Sequence, residues 1–357
     1  MNYCYRFPVV RGKQAGKTYY IGMVPLKSLR RLFADDDEYV LPEFRAQRRI
    51  NESRIPEIKK YILENRESYV FSALAASIDG DFRFVESNQD GLGILEVDLD
   101  AKFLINDGQH RKAAILNALE DDETLGDETI SVVFYEDRGL KNSQQMFTDL
   151  NKHAVKTSNS IAELYDSRDT LAVATRTVIS KIDFLNKYVD KEKDILGKYS
   201  SALFTLNTFY NANKRVLGRT ECDERFEKFL YVFWDNVSCN MLPWIELEDG
   251  EMPKKELREK YIATQAVVIQ ALGRVGAQLY KDEHMQIEKT LKGLRTLDWR
   301  RGAECWKLRA IRGDGRLQTG ESAQILISNI IKQEIGLELS TEEKKAEDDF
   351  LSSILIK

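Results

Sequence analysis

Five consecutive residues, Asp107, Gly108, Gln109, His110 and Arg111, are of types that handle anions. The stretch before them, KFLIND, reads as a short apolar strand, and GQHRKAAILNALE reads as a helix built from good helix formers. A strand that turns at glycine into a helix presents unpaired backbone N–H groups. The positive end of the helix dipole lies at the same place. Gly108 permits close backbone approach, Arg111 can fork two N–H groups onto a phosphate, and His110 can donate another. This pattern predicts a phosphate site, on a nucleotide or on a nucleic-acid backbone. The same residues also fit a structural junction with Asp107 as plain N-cap. A carboxylate there competes with a bound anion unless Mg²⁺ intervenes. Residue chemistry leaves the two readings open.

Three basic segments are candidates for nucleic-acid contact. The first spans Arg45 to Lys60 and includes Gln47, Arg48 and Arg49, interleaved with Glu43, Glu52 and Glu57. A mixed solvated helix face is the simple alternative. The second, TLDWRRGAECWKLRAIRGDGR, holds Arg295, Arg300, Arg301, Lys307, Arg309, Arg312 and Arg316 against three acidic residues, an excess of four positive charges. It is the first choice for a DNA backbone contact. Its Trp299 and Trp306 either stack on bases or, more commonly for tryptophan, pack inside. The third, Lys214, Arg215 and Arg219, follows a helical stretch but lacks a turn glycine suited to a helix-turn-helix.

Around these segments the chain reads as mixed. TYYIGMVPL is a strand ending at Pro25, and SLRRLF is a short helix. RAQRRINESRIPEIKKYILENRESY has helical periodicity, with Asn51 or Ser53 as N-cap. SYVFSALAASIDGDFRFVE reads as two strands about a turn at Asp79-Gly80. TISVVFYE is a buried strand, and NSQQMFTDLNKHA is a helix that includes Asn151 and His153. The expected fold is an α/β (α+β) N-terminal domain over 1–158, a mainly helical bundle over 159–290, and a basic segment with C-terminal helices over 291–357.

Composition narrows the function classes. The chain has 357 residues and a net charge of −5, so nucleic-acid binding must come from local basic patches. No apolar run is long enough to span a membrane. The start, MNYCYRFPVV, lacks the pattern of a secretory signal. Four dispersed cysteines, Cys4, Cys222, Cys239 and Cys305, form no CxxC pair, and free thiols in such a chain point to a reducing cytoplasm. Three histidines argue against a multi-histidine metal centre, and acidic runs such as Glu120–Glu123 lack calcium-loop spacing, so the expectation is no metal; no P-loop is present either.

The frame FLINDGQHRKAAI resembles the DGQHR-domain family. More closely, the chain resembles the DndB family of bacterial DNA phosphorothioation systems, on three further stretches: AQRRINESRIPEIKKYILENRESYVFSALAASIDG at 46–80, MFTDLNKHAVKTSNSI at 146–161 and IIKQEIGLELSTEE at 330–343. The DGQHR domain is in turn similar to the ParB/sulfiredoxin superfamily, whose strand–G-x-[HR]-R–helix element holds nucleotide phosphates. Gly108, His110 and Arg111 match that element. Gln109 stands where sulfiredoxins carry their catalytic cysteine, so cysteine-based sulfinic-acid repair is not supported.

The resemblance implies a ParB/sulfiredoxin-like N-terminal domain and a regulator that binds double-stranded DNA at the promoter of the modification genes, beside other phosphorothioation proteins. It places Gln47, Arg48, Arg49 and Asn151 near the DGQHR turn. The alternatives are a nucleoside triphosphatase switch that uses a nucleoside triphosphate with Mg²⁺, and a scaffold for the modification complex. A homo-oligomer is compatible with each. No catalytic residue is assigned.

Overall fold

The computed structural model describes residues 4–33, 52–136, 145–146, 157–197, 199–282, 284 and 286–355. The chain forms two compact units, Met1–Val155 and Lys156–Lys357.

The first unit is built on a seven-stranded sheet ordered β4-β5-β1-β2-β7-β3-β6. Its strands are β1 (Cys4–Gln14), β2 (Lys17–Pro25), β3 (Leu74–Asp79), β4 (Phe82–Glu86), β5 (Leu92–Asp98), β6 (Lys102–Asp107) and β7 (Thr129–Glu136). Pairing is antiparallel except between β3 and β7. Alternation in β2 turns Tyr20, Gly22 and Val24 inward and leaves Ile21 and Met23 exposed. β3 is buried along Leu74–Ile78, as its central position between β7 and β6 demands. Helices α1 (Leu29–Leu32), α2 (Ile55–Glu64) and α3 (Gln109–Asp121) supply Leu29, Ile62, Ala114, Ile115 and Ala118 to the core against the sheet's Val24, Val97, Val132 and Phe134.

Three local expectations change. The Asp79-Gly80 step is not a hairpin turn, because β4 pairs with β5 while β3 pairs with β6 and β7. β3–β4 and β5–β6 are instead the two arms of one long hairpin, kinked at Gly80, whose reversal lies between Glu86 and Leu92. Gly80 has φ +135°, and a Cβ there would meet Ala101 Cα at 2.8 Å, so the kink needs glycine twice over. Strands β1 and β5 were not expected. Each buries only two residues (Phe7 and Val9; Leu95 and Val97), which makes a short signal. The N-cap of α2 is Arg54, without a side-chain cap, and Ser53 lies in a preceding 3₁₀ turn. Of the expected helix NSQQMFTDLNKHA, only Gln145 and Met146 are described, and they are helical.

The second unit is helical. Its helices are α4 (Asn159–Tyr165), α5 (Thr170–Lys181), α6 (Asp183–Tyr188), α7 (Leu206–Leu217), α8 (Glu224–Asn240), α9 (Leu242–Glu248), α10 (Lys254–Lys260), α11 (Ala266–Lys281), α12 (Ile287–Leu291), α13 (Glu321–Glu334) and α14 (Thr341–Leu355). One small parallel pair joins Val189–Asp190 to Phe204–Thr205. An aromatic core fills the middle: Phe184 stacks on Trp244 at 4.8 Å, and Phe209 meets Trp234 edge-on at 4.8 Å. Gly273 of α11 lets that helix lie directly on α7, since a Cβ there would meet the Ala212 carbonyl at 2.7 Å. The stretches 159–290 and 291–357 share this single core, which runs from Leu171 to Leu337.

Candidate functional site

The turn from β6 to α3 is built on Gly108. Its φ of +102° is left-handed, and a Cβ would meet Leu74 Cδ2 at 2.3 Å. Gly108 is also the N-cap of α3 and has no side chain to cap it, and no acidic residue stands in the first turn. Asp107 therefore does not plug the helix end, contrary to the plain-cap reading. Its carboxylate instead pairs with Arg111 Nη2 at 2.6 Å.

Arg111 is turned inward. Nη1 donates to the carbonyls of Ser72 (2.7 Å) and Ala73 (3.0 Å) and to Ser72 Oγ, and the side chain is 17% exposed. The guanidinium thus ties the start of α3 to the chain entering β3. Asp107 pairs with Ala75 at the bulge between Ala75 and Ala76, so the ion pair and the bulge set the same corner. Arg111 is therefore committed inside the fold, and the anion donors that the turn still carries by its geometry are backbone N–H groups at the start of α3.

Buried polar side chains surround the turn. Gln109 is buried, and its Nε2 has no acceptor. Asn106 is fully buried; its Nδ2 donates to Ser77 Oγ at 2.5 Å and to Met146 Sδ at 3.1 Å, while its Oδ1 has no donor. Lys112 is also buried. Sequence reasoning singled out none of Asn106, Ser72, Ser77 or Lys112. The available signal was Asn106, a polar residue ending the apolar run FLI. His110 opens α3 beside Gln109 and is half-buried. Gln47, Arg48, Arg49 and Asn151, with His153, lie outside the described residues.

The basic segment 295–316 separates into a buried anchor and an exposed rim. Trp299 and Trp306 are buried and stacked at 5.6 Å, and their Nε1 atoms donate to the carbonyls of Leu294 (3.1 Å) and Asp298 (2.6 Å). Of the two readings of these indoles, the structure bears out the more common one, packing inside the core. Arg309 is turned inward too, against Glu347 and over the Phe350 ring. Arg301 is half-buried, its Nε without an acceptor.

Five basic residues face solvent. Arg295 caps α8 at the Cys239 carbonyl (2.8 Å) and Asn240 Oδ1 (2.9 Å). Arg300 grips its neighbour Asp298, whose carboxyl it holds below the usual range. Lys307 pairs with Glu304 at 2.5 Å. Arg312 and Arg316 flank a tight turn closed by Arg312 N to Arg316 O (2.8 Å) and Gly315 N to Arg312 O (2.9 Å), with Gly315 at φ +78°. Arg316 is 82% exposed and 3.8 Å from Asp314. These surface pairs are weak and exchangeable. In the third basic cluster, Arg215 is bound to Glu321 and Gln324.

Burial pushes the thiols of Cys222, Cys239 and Cys305 up, away from the thiolate form. Among the described residues no group of three or more His, Cys, Asp or Glu is placed to hold a metal ion. No helix of the described residues is long and apolar enough to cross a membrane.

No curated protein matches the chain, and no solved structure does. Residues 7–338 match the family described as DndB, DNA-sulfur modification-associated. That span takes in both units, the glycine turn and the whole basic segment, and the chain belongs to the DndB family.

Proposed function

We propose that the chain serves DNA sulfur modification as a DNA-binding regulatory component, bound to double-stranded DNA at the promoter of the modification genes, and leaves the sulfur chemistry to other proteins of the system. The observation that carries this reading is the rim of segment 295–316: Arg295, Arg300, Lys307, Arg312 and Arg316 face solvent on a loop anchored by a buried tryptophan pair. The anchor fixes the spacing of those charges before DNA arrives, so less ordering entropy is lost on binding. The raised thiol pKa values speak against a cysteine nucleophile.

The test is fluorescence anisotropy of the full chain on a labelled duplex of the promoter region across a salt series. Five phosphate contacts give a log–log slope of about −4.5. A flat response rejects the electrostatic account.

A second reading is a nucleotide-gated switch of the ParB-like kind. It is favoured by the left-handed Gly108 that opens α3 and by the absence of an acidic residue in the helix's first turn. A triphosphate with Mg²⁺ would there meet backbone amides. Calorimetry with nucleoside triphosphates, with and without Mg²⁺, tests it, and no heat in either condition removes it.

A further inference from the structure

The last helix, α14, is held by charge. None of its described apolar side chains is buried: Ala346 and Phe350 are half-buried, and Leu351 and Ile354 are 47% and 37% exposed. The residue it does bury is Glu343, which accepts from Lys332 Nζ at 2.7 Å. Glu347 accepts from Asn329 Nδ2 at 3.2 Å and pairs with Arg309, whose guanidinium lies 4.2 Å from the centre of the Phe350 ring. The fit is incomplete, because Arg309 Nη1 and Asn329 Oδ1 are buried there without partners. A helix docked without an apolar anchor, over unsatisfied polar atoms, detaches more readily than one seated in a hydrophobic groove.

Two further facts give the contact a direction. α14 carries five acidic and two basic side chains, and it begins after residue 338, where the family match ends. It covers Arg309, one of the seven basic residues of segment 295–316. The geometry points to α14 as a built-in competitor of DNA: the Glu347 carboxylate takes the place of a backbone phosphate on Arg309, and duplex DNA displaces it. This inference rests on the DNA-binding reading above and adds its regulation. An arginine left with one unsatisfied N–H under a carboxylate gains by exchanging that partner for a phosphate, which offers more acceptor oxygens.

The experiment compares full-length wild type, Glu347→Gln, Glu347→Gln with Arg309→Gln, and Asp348→Asn with Asp349→Asn, by anisotropy on one duplex at about 0.1 M salt, where the Debye length is about 10 Å. Glu347→Gln is expected to bind about 5- to 10-fold tighter, with a salt slope steeper by about one. Adding Arg309→Gln is expected to abolish that gain. The Asp348/Asp349 variant removes more charge without touching Arg309 and is expected to gain less. Equal affinity of Glu347→Gln and wild type overturns the inference while the DNA-binding reading stands. So does a gain that survives Arg309→Gln, or one matched by the Asp348/Asp349 variant. No binding by any of the four proteins overturns the DNA-binding reading itself. Hydrogen exchange on the unaltered chain gives a second readout independent of variant folding. DNA is expected to strip protection from the amides of α14, and unchanged protection with DNA bound overturns the inference.

Discussion

Arg111 Nη2 lies 2.6 Å from Asp107 Oδ2, one helical turn away across the left-handed Gly108. The same guanidinium holds the Ser72 and Ala73 carbonyls, so it fastens three segments at once. Arg111→Ala strands a carboxylate and two inward-facing carbonyls. It is expected to destabilise the chain by about 2–3 kcal/mol in urea denaturation, and Asp107→Asn by about 1 kcal/mol. A loss of nucleotide affinity in Arg111→Ala therefore needs a stability measurement beside it. A variant as stable as wild type would contradict the fastening role.

Gly108→Ala forces a Cβ into Leu74 at 2.3 Å and a left-handed backbone on alanine. A loss of about 2–4 kcal/mol is expected from strain and overpacking together, read as a fall in the thermal midpoint. An unchanged midpoint would mean that the turn rearranges at little cost.

The tryptophan anchor and the arginine rim are expected to separate cleanly. Trp306→Ala opens a cavity in the core and costs about 3–5 kcal/mol, with DNA affinity lost only as the fold is lost. Arg312→Gln with Arg316→Gln leaves the thermal midpoint within about 1 °C and flattens the salt slope of DNA binding by about two. Melting curves and the salt series on the same preparations check both halves.

Stability is expected to depend on pH through Glu163. Burial first, and then the carboxylates of Asp194 and Asp169, push its carboxyl up to about 7, and Glu163 Oε2 has no hydrogen-bond partner. Below the ordinary value of 4.5 the folded and unfolded chains both hold the proton. As pH rises from there through about 7 the unfolded chain ionises first, so the fold loses stability across that window and stays weakened above it. Glu163→Gln removes the titration. After discounting for partial exposure, the expected gain is about 1 kcal/mol at pH 8, or roughly 2–4 °C in the midpoint, with none at pH 4. An equal gain at both pH values would place the effect elsewhere.

Much of this was legible where one residue type dictates one geometry. FLIND followed by a glycine and a run of helix formers specified the β6–α3 turn, and the apolar TISVVFYE specified β7. The partners of the charged side chains were not legible, because they come from far along the chain. Arg111 meets Ser72, 39 residues away, and Arg309, which precedes α13, meets Glu347 on α14. Spacing shows that an arginine is present and cannot show which carboxylate or carbonyl folding brings to it. The Asp79-Gly80 step misled for a related reason. A positive-φ glycine serves a kink as well as a reversal, and only the pairing of β4 with β5 separates the two.

That kink joins, by a step of two residues, strands that stand near opposite ends of the sheet order. Because the arm β3–β4 runs through Gly80 unbroken by a loop, the parity of the chain at this point decides which way Phe82 and Phe84 face. Both rings pack on Tyr20, at 6.1 and 5.5 Å. Adding one residue beside Gly80 would rotate both off Tyr20 while β3, upstream, kept its place. The hairpin therefore tolerates length changes at its tip, between Glu86 and Leu92, and resists them at its waist.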